Sequence, residues 1–362
     1  MPTQSAILAH AATLKAGFEA LGAVSVETPV LQPAEALLDL YGEDIRARAY
    51  VTSDPLRGEQ MLRPDFTLPV VQAHMAEGAE PARYTYAGEV FRRQEDDPDR
   101  ASEYVQVGYE VFDRNAPAER EAEVFAALAA PLKDLPVRAV TGDIGLLMAA
   151  VSGLETTEAR KAALMRHIWR PRRFRTLLDR FAGRTAMPTS RAALLGSGDP
   201  MADAGPHIGL RGPDEIEARI ATLRADAEAP VIPGGVVDLI DALLTVRETM
   251  PYALARLRDI AVDLPSITDA VDGFAARLDA FSAVGIDPED LAFEASYGRT
   301  SLEYYDGFVF GFMAERHPHW ALLGSGGRYD ALTAALGNGQ AIPAVGGVLR
   351  PGLVCQLREA GQ

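Results

Sequence analysis

Residues 103–113 read Glu-Tyr-Val-Gln-Val-Gly-Tyr-Glu-Val-Phe-Asp, and their strict alternation specifies a β-strand. Tyr104, Gln106, Gly108, Glu110 and Phe112 share one face; Val105, Val107, Tyr109 and Val111 share the other. The valine face belongs to a core. The opposite face carries a carboxamide and a carboxylate four residues apart, about 13 Å along a strand, with Gly108 leaving a gap between them. A small polar ligand lying over Gly108 could touch both; the spacing alone favours a plain solvent-facing polar side. Residues 82–93 alternate in the same way, and the acidic stretch 95–99 lies between the two runs. The pattern predicts a β-hairpin with a long connection.

Outward from this hairpin, residues 5–21 carry Ile7, Leu8, Ala11, Leu14, Phe18 and Leu21 at helical spacing, and Gly22 ends the helix. Residues 24–31 read as a strand broken at Pro29, 118–131 as a helix and 136–141 as a strand. Helical patterns dominate from about 150 to 285, and strand patterns return in 302–312 and 320–323. No internal repeat is found. The fold expected is α+β: an antiparallel sheet flanked by helices, assembled from residues 1–150 and 285–362, with a mainly helical middle section over 151–284.

The chain has 362 residues, of which 48% are hydrophobic, enough for a sizeable core. No run of about 18 apolar residues is present to span a bilayer. The first residues, with Lys15 as their one cation, do not read as a signal peptide. Cys355 is the sole cysteine, so no internal disulfide forms and a cytoplasmic setting is expected. A net charge of −16 argues against extensive contact with nucleic acid.

Other stretches hold candidate chemistry. In 303–312, Phe308, Phe310 and Phe312 share an apolar face, while Tyr305, Gly307, Val309 and Gly311 share one with room for a ligand or a packed helix. Leu62-Arg63-Pro64-Asp65-Phe66-Thr67 offers a carboxylate and a hydroxyl to an ammonium group, or a helix N-cap. Gly324-Ser325-Gly326-Gly327-Arg328-Tyr329-Asp330 reads as a glycine-rich turn. His317-Pro-His319 lacks the Cys or carboxylate partners of a metal site and reads as a surface loop. No metal and no cofactor are expected.

Taken in order, these segments resemble histidine–tRNA ligase over nearly all of its catalytic domain. Glu27-Thr28-Pro29-Val30-Leu31-Gln32 resembles the class II motif 1 strand of the dimer interface. LRPDFT at 62–67 follows. Tyr86-Ala-Gly-Glu-Val-Phe91-Arg92 resembles motif 2, with Gln106-Val-Gly-Tyr-Glu110 on its return strand. Leu302-Glu303-Tyr304-Tyr305 resembles the family's histidine-binding LDYY segment, and 324–332 its GGRYD loop. The resemblance implies that Asp65, Thr67 and Gln106 hold the α-amino group of histidine. It implies that Glu110, with Tyr304 and Tyr305, meets the imidazole, and that Arg92 faces the carboxylate. Asp65 stands where the family usually has Glu.

The departures from the ligase point to lost catalysis. Thr300 replaces a catalytic arginine, and Arg299 lies one place off, on the opposite face of a strand. The arginine that grips ATP would fall near Leu353, Gln94 replaces a glutamate, and the loop 95–99 carries carboxylates that repel phosphate. The chain ends eleven residues after Pro351, and no anticodon-binding domain is expected. A kept histidine pocket with lost ATP and tRNA functions resembles the regulatory subunits of short-form ATP phosphoribosyltransferase. That implies no catalytic residues, histidine as ligand, and activation and histidine feedback inhibition of a short catalytic subunit. It further implies a hetero-octamer, a dimer through motif 1, and no tRNA or membrane partner. The alternatives are an active histidine-activating enzyme or histidine–tRNA ligase, and a structural activator whose pocket is a relic.

Overall fold

In the computed structural model, residues 2–35, 49–94, 100–202, 205, 209–210, 212–299, 304–337 and 339–360 are described. The first part of the chain forms α1 (Gln4–Ala20), β1 (Val24–Ser25), β2 (Leu31–Pro33), β3 (Val51–Asp54), β4 (Gly58–Leu62), α2 (Thr67–Glu77), β5 (Ala82–Phe91), β6 (Glu103–Phe112), α3 (Pro117–Ala129) and β7 (Val137–Asp143). The middle forms α4 (Ile144–Ser152), α5 (Glu158–Arg166), α6 (Pro171–Phe181), α7 (Thr189–Gly196), α8 (Pro213–Glu228), α9 (Gly234–Leu244), β8 (Arg247–Thr249), α10 (Met250–Asp263) and α11 (Thr268–Ala283). The last part forms β9 (Ala292–Glu294), β10 (Phe308–Ala314), β11 (Gly324–Arg328), α12 (Asp330–Leu336), β12 (Ala344–Leu349) and α13 (Pro351–Ala360).

A nine-stranded sheet in the order β1-β5-β6-β12-β11-β10-β7-β9-β8 organises the chain, beside a small sheet β2-β4-β3. The pairs β1–β5 and β7–β9 are parallel, so the sheet is mixed where an antiparallel one was expected. The predicted hairpin is its longest ladder, with Tyr84 opposite Glu110, Tyr86 opposite Gly108 and Gly88 opposite Gln106.

One face is covered by helices. Phe308, Phe310 and Phe312 of β10 meet Phe125 of α3 and Phe281 of α11, with ring centroids 5.1 Å apart for Phe125 and Phe281 and 5.2 Å for Phe125 and Phe310. Phe18 of α1 packs on Tyr109 at 5.3 Å. Residue identities explain three helix ends. Thr3 caps α1 through its hydroxyl, which accepts the Ala6 amide at 3.2 Å. Gly22 ends that helix at a φ of 91° that other residues resist. Asp143 caps α4 by accepting the Gly145 amide at 2.8 Å.

Two expectations change. Residues 320–323 are not a strand; the strand is the following Gly324–Arg328, read from sequence as a turn. Glycines carry weak strand propensity, yet here they line up with other glycines: Gly326 pairs with Gly347, and Gly327 with Gly346. The backbones approach so closely that a β-carbon at 326 would sit 2.5 Å from the Phe310 ring. Among its described residues the helical middle contains one strand, β8, which pairs with β9 at the sheet edge.

Candidate functional site

Glu110 lies at the centre of the open face of the sheet, fully buried. Its Oε1 accepts the hydroxyl of Tyr86 at 2.7 Å and that of Thr67 at 3.2 Å; its Oε2 accepts the hydroxyl of Tyr329 at 2.7 Å. Gly346, its neighbour across the ladder, makes this possible, because a β-carbon there would collide with the carboxylate. Burial pushes the Glu110 pKa up to about 7, the three hydroxyls pull it down, and Asp65 raises it.

The gap expected over Gly108 is filled. A β-carbon at 108 would overlap the Tyr86 ring, so the glycine lets Tyr86 cross its partner strand and reach Glu110. Phe66 then stacks on Tyr86 at 4.4 Å. Gly327 serves Tyr305 in the same way, with a would-be β-carbon 2.7 Å from its ring. Tyr86 and Tyr329 are the site residues that sequence reasoning missed. The hairpin register was a usable signal for Tyr86; for Tyr329 there was only its place in the GGRYD stretch.

The remaining predicted residues converge on the same face. Asp65 is buried, and burial raises its pKa, against the charge of Arg92 and the amides of Leu68 and Thr67. Asp65 Oδ1 has no partner. Thr67 opens α2 rather than capping it, since the N-cap is Phe66 without a side-chain bond. Tyr304 donates its hydroxyl to Thr67 at 3.5 Å and lies against Tyr305, with centroids 4.6 Å apart. Both tyrosines are buried and precede β10. Gln106 is 1% exposed, and neither Nε2 nor Oε1 has a partner. Arg92 donates through Nε to the Pro64 carbonyl at 2.7 Å and acts electrostatically on both Asp65 and Tyr305.

Two buried carboxylates, a carboxamide with both ends unpartnered and one arginine at the side form a cluster of definite polarity. A buried acid whose pKa is raised by burial and by a second acid is relieved by a cation. An unpartnered buried amide costs about 1–3 kcal/mol and awaits a hydrogen-bonding ligand. The complement is a small molecule with an ammonium group, a ring N–H and a carboxylate. Among the described residues no group of His, Cys, Asp and Glu could hold a metal ion; His317 instead stacks on Trp320 at 4.2 Å.

The departures noted in the sequence fall as follows. Arg299 is not on a strand; it lies in a turn, buried, with Nε donating to the Ile168 carbonyl at 2.9 Å and its guanidinium 5.0 Å from the Phe174 ring. Apolar surroundings pull its pKa down to about 10. It therefore belongs to the contact with the helical section. Gln94 donates to the Ala101 carbonyl at 3.2 Å. Thr300, Leu302, Glu303 and the loop 95–99 lie outside the described residues.

The family model described as histidyl-tRNA synthetase matches residues 2–203 and 216–352. Two curated ATP phosphoribosyltransferase regulatory subunits, from Brucella ovis and Brucella abortus, are each 33% identical over 353 residues. The alignments cover 92% of this chain and 93% and 92% of theirs. Among solved structures, an ATP phosphoribosyltransferase regulatory subunit/histidyl-tRNA synthetase from Bacillus halodurans matches with a TM-score of 0.68 at 19% identity, covering 99% of this chain and 80% of that one. A histidine–tRNA ligase subunit from Alicyclobacillus acidocaldarius matches with a TM-score of 0.59 at 22% identity, covering 99% and 94%. At these identities the solved structures speak for the fold.

Proposed function

The chain belongs to the ATP phosphoribosyltransferase regulatory subunits, built on the histidyl-tRNA synthetase fold, and from that premise we propose that it activates a short catalytic subunit and makes it sensitive to histidine. The observation that carries the ligand assignment is the buried acidic cluster with unpartnered atoms on Asp65 and Gln106. Asp65 and Gln106 keep open atoms for the α-ammonium group, assisted by Thr67. Glu110 offers its carboxylate to an imidazole N–H, with Tyr304 and Tyr305 forming the ring's walls. Arg92 meets the carboxylate. Charge-assisted bonds of this kind contribute about 1.5–3 kcal/mol each, and a few of them match micromolar affinity.

The chain itself turns nothing over. The loss of the ligase's catalytic-arginine position to Thr300, as the resemblance implies, supports this reading, because activation of an acid by ATP needs cations against the developing phosphate charge. Histidine acts by binding one state of the assembled complex more tightly than the other. We assign a hetero-octamer with the catalytic subunit and self-association through residues 27–32, where Val30 and Leu31 are exposed. The protein works in the cytoplasm without tRNA. Among the described residues no helix is long and apolar enough to cross a membrane.

The test is phosphoribosyl transfer to ATP by the catalytic subunit of the same organism, with and without this chain, across a histidine titration. The chain should raise the rate and histidine should then suppress it. A rate and a histidine response that ignore the chain would refute the assignment.

A further inference from the structure

Tyr304 and Tyr305 lie outside the sheet ladder, because β10 begins only at Phe308. Their main chain is held by other means. On one side the Asp306 amide donates to the Arg328 carbonyl at 3.0 Å, and Tyr305 packs over Gly327, where a β-carbon would come within 2.7 Å of its ring. On the other side the donor comes from the helical middle section. The indole Nε1 of Trp169 donates to the Tyr305 carbonyl at 3.2 Å, across 136 residues of chain. An indole N–H is a donor only, so this bond fixes both the ring of Trp169 and the carbonyl it meets.

Trp169 stands in the tight corner between α5 and α6. The amides of His167, Ile168 and Arg170 donate to the carbonyls of Leu164, Met165 and His167 at 3.0, 3.2 and 2.9 Å, so the corner has its own main-chain bonds. Ile168 is fully buried, and its carbonyl accepts Nε of Arg299 at 2.9 Å. The Arg299 guanidinium lies over the Phe174 ring of α6 at 5.0 Å. Two consecutive residues of the corner, Ile168 and Trp169, are thus bonded to Arg299 and to Tyr305, which flank the segment that delivers the tyrosines. A corner tied at both ends of that segment moves with it.

We propose, resting on the histidine assignment above, that Trp169 is a positioning residue of the histidine site, tying its tyrosine wall to the α5–α6 corner so that the corner responds to occupancy. Trp169 touches no ligand and acts through Tyr305. The path back to the acid is continuous. Tyr305 lies against Tyr304, the Tyr304 hydroxyl meets that of Thr67 at 3.5 Å, and Thr67 donates to Glu110 at 3.2 Å. A ligand whose ammonium group meets Asp65 and Thr67, and whose ring meets Glu110, enters this path and shifts the tyrosines. The acceptor of Trp169 shifts with them. The corner responds to the extent that histidine binds one arrangement of the wall more tightly than the other.

The chain has two tryptophans, Trp169 and Trp320, and the second stacks on His317. Trp320→Phe therefore leaves Trp169 as the single indole emitter of the full chain. Histidine titrated into that variant should change the Trp169 emission saturably, with a midpoint matching the histidine affinity measured by calorimetry. A tryptophan with a merely structural role would not respond. Trp169→Phe keeps an aromatic ring and removes the N–H donor; it should weaken histidine binding about three- to tenfold. Emission that stays constant while calorimetry records binding overturns the proposal, and so does native histidine affinity in Trp169→Phe. Should Trp169→Phe fail to fold, the emission experiment decides, because it keeps Trp169 intact. A native chain that binds no histidine overturns the histidine assignment and this inference together; binding without a response at Trp169 overturns this inference alone.

Discussion

The two faces of the large sheet bury charge in opposite ways. On the helix-covered face, Glu121 of α3 accepts Arg277 of α11 and Arg328 of β11. Arg277 continues to Asp143 at 2.9 Å, and Arg328 to Asp330 at 3.1 Å. Every carboxylate oxygen of Glu121, Asp143 and Asp330 has a donor. On the open face, Gln106 has no partner at either end and Asp65 lacks one at Oδ1. Glu121 and Asp143 are buried about as deeply as Gln106 and Asp65, so burial does not separate them. Satisfaction does. The paired face joins helices and strands into one body; the open face leaves polar atoms unpaired, as the proposed histidine site requires.

That contrast can be broken most forcefully on the paired face. Arg277→Met leaves Asp143 without its ion-pair partner and should cost about 3–5 kcal/mol, read from urea unfolding. A loss below 1 kcal/mol would mean that the network does not hold the fold. On the open face, Gly346→Ala drives a β-carbon into the Glu110 carboxylate. It should reduce stability by about 1–3 kcal/mol and lower histidine affinity more than tenfold by calorimetry.

Glu110→Gln sharpens the comparison because its sign is opposite. The folded pKa of Glu110 is raised from 4.5 to about 7. A carboxyl with a raised folded pKa contributes stability below its unfolded value and loses it as pH rises through the folded one. At pH 8 the native protein holds a buried carboxylate, which the neutral amide relieves. The variant should be more stable than the native chain at pH 8 by about 1–3 kcal/mol, with the gain fading toward pH 5, while histidine binding is lost. Thermal melts at the two pH values check it; a gain that grows toward pH 5 would contradict the cause given. The smallest effect is expected from Tyr86→Phe, which removes one of three hydroxyls from Glu110. It should cost about 1 kcal/mol and a few-fold in histidine affinity.

Much of this was legible in the sequence. Period-two alternation located β5 and β6 to within two residues, and Gln106 and Glu110 share a face as the spacing required. Asp65 and Thr67 reached the same site only through resemblance, because no local pattern tells that residues 62–67 lie over β6. The glycines misled. Gly108 reads as an opening, yet a ring from the partner strand occupies it, and Gly324–Arg328 reads as a turn, yet it is a strand. In both cases the glycine answers to a neighbour across the sheet, which local sequence does not encode. The ion network joins Asp143 to Arg277, distant in sequence, and was invisible for the same reason.

The most direct measurement is histidine binding to the chain with Gln106→Leu beside the native protein, by calorimetry with stability followed in parallel. Leu removes the amide that is buried and unpartnered without ligand, so the variant should fold at least as stably while histidine affinity falls ten- to a hundredfold, as expected for the loss of one or two charge-assisted bonds. Native affinity in that variant would contradict the claim that the unsatisfied face is a histidine receptor.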